Sequence, residues 1–146
     1  MTINSFRNEY FFLSNFYEVS VKYRGLTYRN SEAAFQAQKC RNPKDKIAFT
    51  NLNPSEAKHR GRSIELVDGW EQVKVSIMME IVQAKFEQNK DIAQKLIATG
   101  DAFLEEGNDW GDRIWGTVNG QGSNLLGFIL MKVREHLKEV RSNEEP

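Results

Sequence analysis

The sequence predicts an α+β fold that is predominantly α-helical, with a small β element near the N-terminus. Apolar residues recur at helical spacing through much of the chain, capping residues precede several of these segments, and one short early segment alternates between polar and apolar side chains. A chain of 146 residues with 40% hydrophobic residues is large enough for one substantial core. We therefore expect a single compact domain over residues 1–146.

The β element is predicted to be a hairpin that leads into the first helix. Residues 19–23 alternate between apolar and polar side chains, Arg24 and Gly25 form a turn signal, and residues 26–28 provide the second strand. Asn30 follows at once and has the side chain of a helix cap. We expect a first helix over residues 31–40.

Two further helices are predicted from capping signals. Asn53 and Glu56 have capping-box spacing around Pro54, and Gly61 ends that segment. The same spacing recurs at 68–71, ahead of a longer helix that should end near residue 88.

The C-terminal part predicts two more helices. One covers residues 91–99 and ends at Gly100, and the other covers residues 124–140. The side chains expected on the buried side of the last helix are Leu126, Ile129, Leu130, Val133 and Leu137. Residues from about 141 to 146 should form a disordered tail.

The charge balance and the cysteine content restrict the class of protein. Lys plus Arg and Asp plus Glu total 20 each, so no excess charge attracts nucleic acid or an anionic membrane, and any phosphate must be bound locally. The single Cys40 forms no internal disulfide, and no metal-ligand spacing is present. We expect no metal and no cofactor. Because no signal peptide or membrane span is evident, we expect a cytoplasmic protein with no membrane partner.

One face of the first helix carries polar side chains that suit catalysis. Glu32, Gln36 and Lys39 occupy positions i, i+4 and i+7, so they share this face. Glu32 and Lys39 are about 10 Å apart along the axis, a distance that long side chains can narrow toward a ligand. A carboxylate and an amine would then flank one pocket. The alternative is a solvated helix face, where Glu and Lys are common.

Residues 107–124 form the most unusual stretch of the chain. They hold five of the ten glycines and two of the three tryptophans. Glycines let backbone amides approach an anion, a helix start near Asn124 adds further amides, and Trp110 or Trp115 offers a stacking face for a heterocycle. Asp112 is among the carboxylates that could meet a ligand there. Alternatively, the tryptophans fill the core and the glycines form tight turns.

Three arginines are candidates for binding a phosphate, because a guanidinium forms paired, charge-assisted hydrogen bonds. They are Arg7, Arg60 and Arg62. Taken singly, each is also typical of a protein surface.

Five sequence blocks together resemble the YbiA/NADAR family. They are FLSNF at 12–16, SEAAFQAQK at 31–39, AKFEQN at 84–89, DRIWG at 112–116 and GSNLLG at 122–127. The blocks follow the family's order and the resemblance covers about residues 6–134. It implies a YbiA-like fold and N-glycosidase activity on early riboflavin-pathway intermediates, which carry a ribosyl 5-phosphate on an aminopyrimidine. Some relatives remove ADP-ribose from modified guanine, so ADP-ribosylated guanine in nucleic acid is a second candidate partner.

The resemblance also assigns roles to particular residues. It gives functional weight to Glu32, Lys39, Trp70, Trp110 and Asp112. In one mechanism, Lys39 attacks the ribosyl C1 and forms a Schiff base while Glu32 or Asp112 transfers protons and Trp70 or Trp110 stacks the base. In the other, a carboxylate activates water and Lys39 only stabilises charge. The first mechanism requires surroundings that lower the pKa of Lys39.

Two further classes of function remain open. The Gly/Trp stretch could belong to a module that binds a nucleotide or ADP-ribose without cleaving it. In a purely structural interpretation, Glu32 and Lys39 form a surface ion pair and the tryptophans belong to the core.

Overall fold

The computed structural model describes residues 1–144, which form two compact units. One unit comprises residues 15–89, and the other comprises residues 1–14 together with the chain from Lys90 onward. The single domain over residues 1–146 stays a prediction. The fold class is α+β and predominantly helical, as predicted. Its elements in chain order are β1 (Thr2–Ile3), a 3-10 helix (Asn8–Leu13), β2 (Glu18–Tyr23), β3 (Leu26–Asn30), α1 (Ser31–Ala37), α2 (Pro43–Lys46), a 3-10 helix (Ile47–Phe49), α3 (Pro54–Gly61), α4 (Trp70–Glu87), α5 (Lys90–Ala98), β4 (Phe103–Leu104) and α6 (Leu125–Glu144).

The predicted hairpin is confirmed. Strands β2 and β3 pair antiparallel, with Val21 opposite Tyr28. Both turn residues are left-handed, Arg24 at φ 48° and Gly25 at φ 86°, a geometry that matches the twist of the flanking strands. Val21 and Tyr28 are fully buried, so one face of the hairpin belongs to the core of the 15–89 unit. The second β pair, β1 with β4, is parallel and only two residues long.

The first helix is shorter than predicted. It begins after Asn30, whose side chain accepts a hydrogen bond of 2.7 Å from the Ala33 amide. It ends at Ala37 rather than at Cys40. The amides of Gln38 and Lys39 donate to carbonyls three residues back, so the chain tightens into a turn after the helix. Lys39 therefore lies in this turn and not on the helical face.

Of the two predicted capping boxes, one is present in the structure and the other is not. The capping box of α3 is confirmed, because Asn53 and Glu56 each accept a hydrogen bond from the other's backbone amide. The capping box predicted for α4 is wrong. Its cap is Gly69 at φ 77°, and the side chain of Asp68 accepts a hydrogen bond from Arg41 instead.

The two C-terminal helices are confirmed, with one boundary corrected. Helix α5 ends at Ala98, ahead of Gly100 at φ 66°. The buried side of α6 includes all five side chains predicted from the periodicity. Because α6 continues to Glu144, the predicted disordered tail is wrong for residues 141–144, and residues 145–146 lie outside the described part of the chain. Within residues 1–144, no helix has the length and apolar character needed to cross a membrane.

Candidate active site

Helix α1 is buried along its whole length in the 15–89 unit. All seven of its residues, including Glu32 at 9% exposure, are inaccessible or nearly so. The flanking Ala33, Ala34 and Ala37 are fully buried, because small side chains let neighbouring elements pack closely on this helix. The interpretation of α1 as a solvated face is therefore wrong. A carboxylate this far from water must serve a partner or a ligand, since uncompensated burial of a charge is strongly unfavourable.

Lys39 is half-buried in the turn that follows α1. Burial is the largest cause that lowers the pKa of Lys39 below its ordinary value, and the positive charges of Lys74 and Arg62 lower it further. The carboxylates of Glu32 and Glu71 act in the opposite direction. The net result is a lowered pKa, which gives Lys39 more neutral, nucleophilic amine near neutral pH than an exposed lysine has.

Gln36 packs against the end of α3. Its side chain is 7% exposed, and its Oε1 atom has no hydrogen-bond partner within residues 1–144. A Cβ atom on Gly61 would lie 1.9 Å from that oxygen and 2.7 Å from the amide carbon, so only glycine leaves room for the Gln36 amide. This contact fixes the end of α3 against α1, three residues before Lys39.

Trp70, the first residue of α4, has a packing role. Its side chain is buried, and its ring centroid lies 5.2 Å from that of Phe35 at an interplanar angle of 50°. This arrangement is a favourable tilted aromatic pair. Its ring is covered in this way by Phe35, and the stacking of a base on Trp70 stays a prediction.

The glycine- and tryptophan-rich stretch lies in the other unit, where an Asx-type network holds it. The Asp112 carboxylate accepts hydrogen bonds from the amides of Ile114 (3.0 Å) and Trp115 (2.9 Å). Trp115 is half-buried, whereas Trp110 is 53% exposed. Trp110 therefore offers more ring surface than Trp115, and one Asp112 oxygen already serves the backbone.

The start of α6 does not form the amide cluster that the sequence predicts. The amides of Leu125 and Leu126 donate to the carbonyls of Ile114 and Trp115, at 3.1 and 3.0 Å. The buried side chain of Asn124 accepts a hydrogen bond from the Glu106 amide and donates one to the Leu104 carbonyl. These groups hold the stretch to the helix, and the ligand-binding role of Asn124 stays a prediction.

The three candidate arginines have different surroundings. Arg7, in the same unit as the tryptophan stretch, lies 4.0 Å from Asp109, and both side chains are exposed. Arg60 lies with its guanidinium carbon 6.0 Å from the centre of the Phe49 ring. Arg62 is exposed at the end of α3 and is the arginine whose charge acts on Lys39.

Sequence reasoning missed two residues of the Lys39 environment, Glu71 and Lys74. They form an ion pair of 2.6 Å in the first turns of α4, and the Lys74 side chain is only 19% exposed. Their i, i+3 spacing indicates a pair on the surface of a helix, but nothing in the sequence shows that this surface faces Lys39.

The candidate residues therefore fall into two groups by unit. The 15–89 unit brings together Glu32, Gln36, Lys39, Arg62 and Trp70, and Arg60 lies on the same helix as the contact with Gln36. The other unit carries Arg7, Trp110, Asp112, Trp115 and Asn124.

Comparisons with known proteins match nearly the whole chain. The model of the NADAR domain family matches residues 3–138. The N-glycosidase YbiA of Shigella boydii is 38% identical over 134 residues, which cover 89% of this chain and 83% of the relative. A riboflavin biosynthesis protein of Vibrio vulnificus is 37% identical over 136 residues, 88% of this chain and 36% of that longer protein.

A solved structure supports the same relationship. The NMR structure of the Escherichia coli protein YbiA superposes with a TM-score of 0.86 at 35% identity, over 100% of this chain and 88% of that one. The chain therefore belongs to the NADAR domain family and is a hydrolase acting on N-glycosyl bonds.

Proposed function

We propose that the chain hydrolyses the ribosyl C1–N bond of early riboflavin-pathway intermediates, the 5-phosphoribosylamino-pyrimidines, and releases the free base and ribose 5-phosphate. The single observation that carries the proposal is the environment of Lys39: burial and two neighbouring cations lower its pKa, and a buried carboxylate shares the site. The name of the relative from Vibrio vulnificus supports a substrate from riboflavin biosynthesis.

In the proposed reaction, the neutral Lys39 amine attacks C1 of the ring-opened ribosylamine. The bond between Lys39 Nζ and C1 forms and the bond between C1 and the base nitrogen breaks. The base nitrogen takes one proton from Lys39 Nζ and one from Glu32, and the base leaves as a free amine. The product of this step is a Schiff base between Lys39 and ribose 5-phosphate. Water then adds to C1, the bond between Nζ and C1 breaks, and the sugar leaves as its aldehyde.

Glu32 is the proposed proton shuttle for both steps. It first donates a proton to the departing base amine and then, as the carboxylate, accepts one from the attacking water. Its burial on α1 and the effect of its charge on Lys39 support this role. Trp110 and Asp112 stay predictions from the sequence.

The test is turnover by the purified protein without added metal, followed by mass spectrometry of the products. The expected result is release of pyrimidine and ribose 5-phosphate in equimolar amounts, with a loss of at least about 1,000-fold in Lys39→Ala. The matched control is Lys44→Ala, which removes an exposed lysine of α2 and should keep full activity.

The outcomes separate the competing functions. Release of ADP-ribose from ADP-ribosylated guanine, with no turnover of the pyrimidine substrates, would replace the proposed substrate. Tight binding of a nucleotide ligand that stays intact would contradict hydrolysis altogether. Full activity in Lys39→Ala would leave a carboxylate-activated water as the nucleophile.

A further inference from the structure

The position of Arg62 is fixed by the contact between α3 and α1. Arg62 directly follows Gly61, and Gly61 packs on the Gln36 side chain without room for a Cβ atom. Lys39 in turn donates its backbone amide to the Gln36 carbonyl at 3.2 Å. Gln36 therefore links the end of α3, where Arg62 lies, to the turn that holds Lys39.

Arg62 and Arg60 differ from the other three arginines of this unit in having no ion pair among the described residues, and only Arg60 of the two lies over an aromatic ring. Arg24, Arg29 and Arg41 each lie within 4 Å of a carboxylate. Within residues 1–144, the Arg62 guanidinium has no ion pair and no side-chain hydrogen bond, while its charge acts on Lys39. The Arg62 side chain is exposed, and its positive charge and that of Lys39 repel each other. An anionic ligand would relieve this repulsion.

Lys74 supplies a second positive charge that acts on Lys39. Its side chain is mostly buried, and its charge also acts on Lys39, although Glu71 partly neutralises it. Arg62 and Lys74 both act on Lys39, and a guanidinium and an ammonium that meet one ligand provide the charge-assisted donors that a phosphate monoester accepts.

We propose that Arg62, assisted by Lys74, binds the 5-phosphate of the substrate and thereby sets the preference for phosphorylated over unphosphorylated ribosylamines. This inference rests on the proposed function and adds the specificity-determining residue. Bound phosphate neutralises Arg62 and weakens its repulsion of Lys39. Burial, the larger cause of the lowered pKa, remains.

The test compares Arg62→Ala with Arg60→Ala on two substrates. Arg60 is a matched control because it belongs to the same helix and is also exposed, but its guanidinium lies over Phe49 and its charge is not among those that act on Lys39. For Arg62→Ala, we expect kcat/KM to fall about 10- to 100-fold on the phosphorylated ribosylamine and less than about 2-fold on its unphosphorylated counterpart. Arg60→Ala should keep the wild-type preference.

A binding measurement separates this inference from the proposed function. Titration calorimetry with ribose 5-phosphate and with ribose measures the phosphate preference without any turnover. The inference is supported if the wild type prefers ribose 5-phosphate and Arg62→Ala loses this preference. It is overturned if Arg62→Ala keeps it, or if Arg60→Ala loses it to the same extent. Active wild-type enzyme with an unchanged Arg62→Ala variant would defeat only this inference, whereas inactive wild type would defeat the proposed function.

Discussion

Replacing Asn30 by alanine should destabilise the protein and disturb the site together. The Asn30 side chain is fully buried between β3 and α1. Its Oδ1 atom accepts the Ala33 amide at 2.7 Å, and its Nδ2 atom donates to the Leu52 carbonyl at 3.1 Å. Asn30→Ala removes both hydrogen bonds at the helix that carries Glu32.

The magnitude follows from these two interactions. Loss of an N-cap costs about 0.5–2 kcal/mol, and loss of the hydrogen bond to Leu52 costs about 1 kcal/mol more. We expect a total of about 2 kcal/mol, which corresponds to a decrease in Tm of about 4–8 °C for a chain of this size. Asn30→Ser keeps an acceptor for the helix cap and should lose about half as much.

Urea unfolding followed by circular dichroism measures this change, and the N-glycosidase assay on the same samples measures the effect on the site. The control is Asn42→Ala. Asn42 caps α2 through the Lys44 amide at 3.0 Å, but it is exposed and outside the site, so its loss should cost less than about 1 kcal/mol and leave activity unchanged. A loss below about 0.5 kcal/mol in Asn30→Ala, or an equal loss in both variants, would refute the reasoning.

Three further predictions concern the surroundings of Lys39. Activity should rise as the pH rises through the lowered pKa of Lys39. Lys74→Met removes a nearby positive charge, so it should raise the pKa of Lys39 and move the rising limb of the kcat/KM profile to higher pH. Lys39→Met should abolish activity without lowering the free energy of unfolding in urea at pH 7. The pKa of Lys39 is lower in the folded state than in the unfolded state, so its positive charge destabilises the fold at any pH below both pKa values. This destabilisation disappears as the pH rises through the two pKa values. Gly61→Ala should destabilise the protein by about 1–2 kcal/mol and reduce activity, because overpacking against Gln36 (about 1–3 kcal/mol) exceeds the gain in helix propensity (up to about 1 kcal/mol).

Each of these has a clear contrary result. An unchanged pH profile in Lys74→Met would show that the protonation state of Lys39 does not control the rate. A marked loss of stability in Lys39→Met would contradict the claim that burial of the Lys39 charge is unfavourable. A more stable and fully active Gly61→Ala would show that the Gln36 amide moves aside freely.

The secondary structure was largely predictable because its signals are local. The turn at Arg24 and Gly25 and the capping box at Asn53 depend on residues adjacent in sequence, and the structure has both. The cap of α4 was mispredicted because Asp68 has a competing partner in Arg41, 27 residues away in sequence. Long-range competition of this kind leaves no local pattern.

The candidate site was predictable only in part for the same reason. The family resemblance and the spacing of residues 32–39 singled out Glu32 and Lys39, whereas burial of the Lys39 side chain, which lowers its pKa, is a tertiary effect. The glycines of residues 107–124 suggested open amides for an anion. In the structure, carbonyl groups of this loop accept hydrogen bonds from the first amides of α6. The amino-acid composition of the loop does not predict these hydrogen bonds.

The most direct test of the account is covalent trapping of Lys39 with borohydride during turnover of a 5-phosphoribosylamino-pyrimidine. Reduction of the proposed Schiff base should leave ribose 5-phosphate attached to the protein through a stable secondary amine. Peptide mass mapping should locate it at Lys39, and Lys39→Ala should carry none. Rapid base release by the wild type without any trapped adduct, or an adduct on another lysine, would contradict Lys39 as the nucleophile.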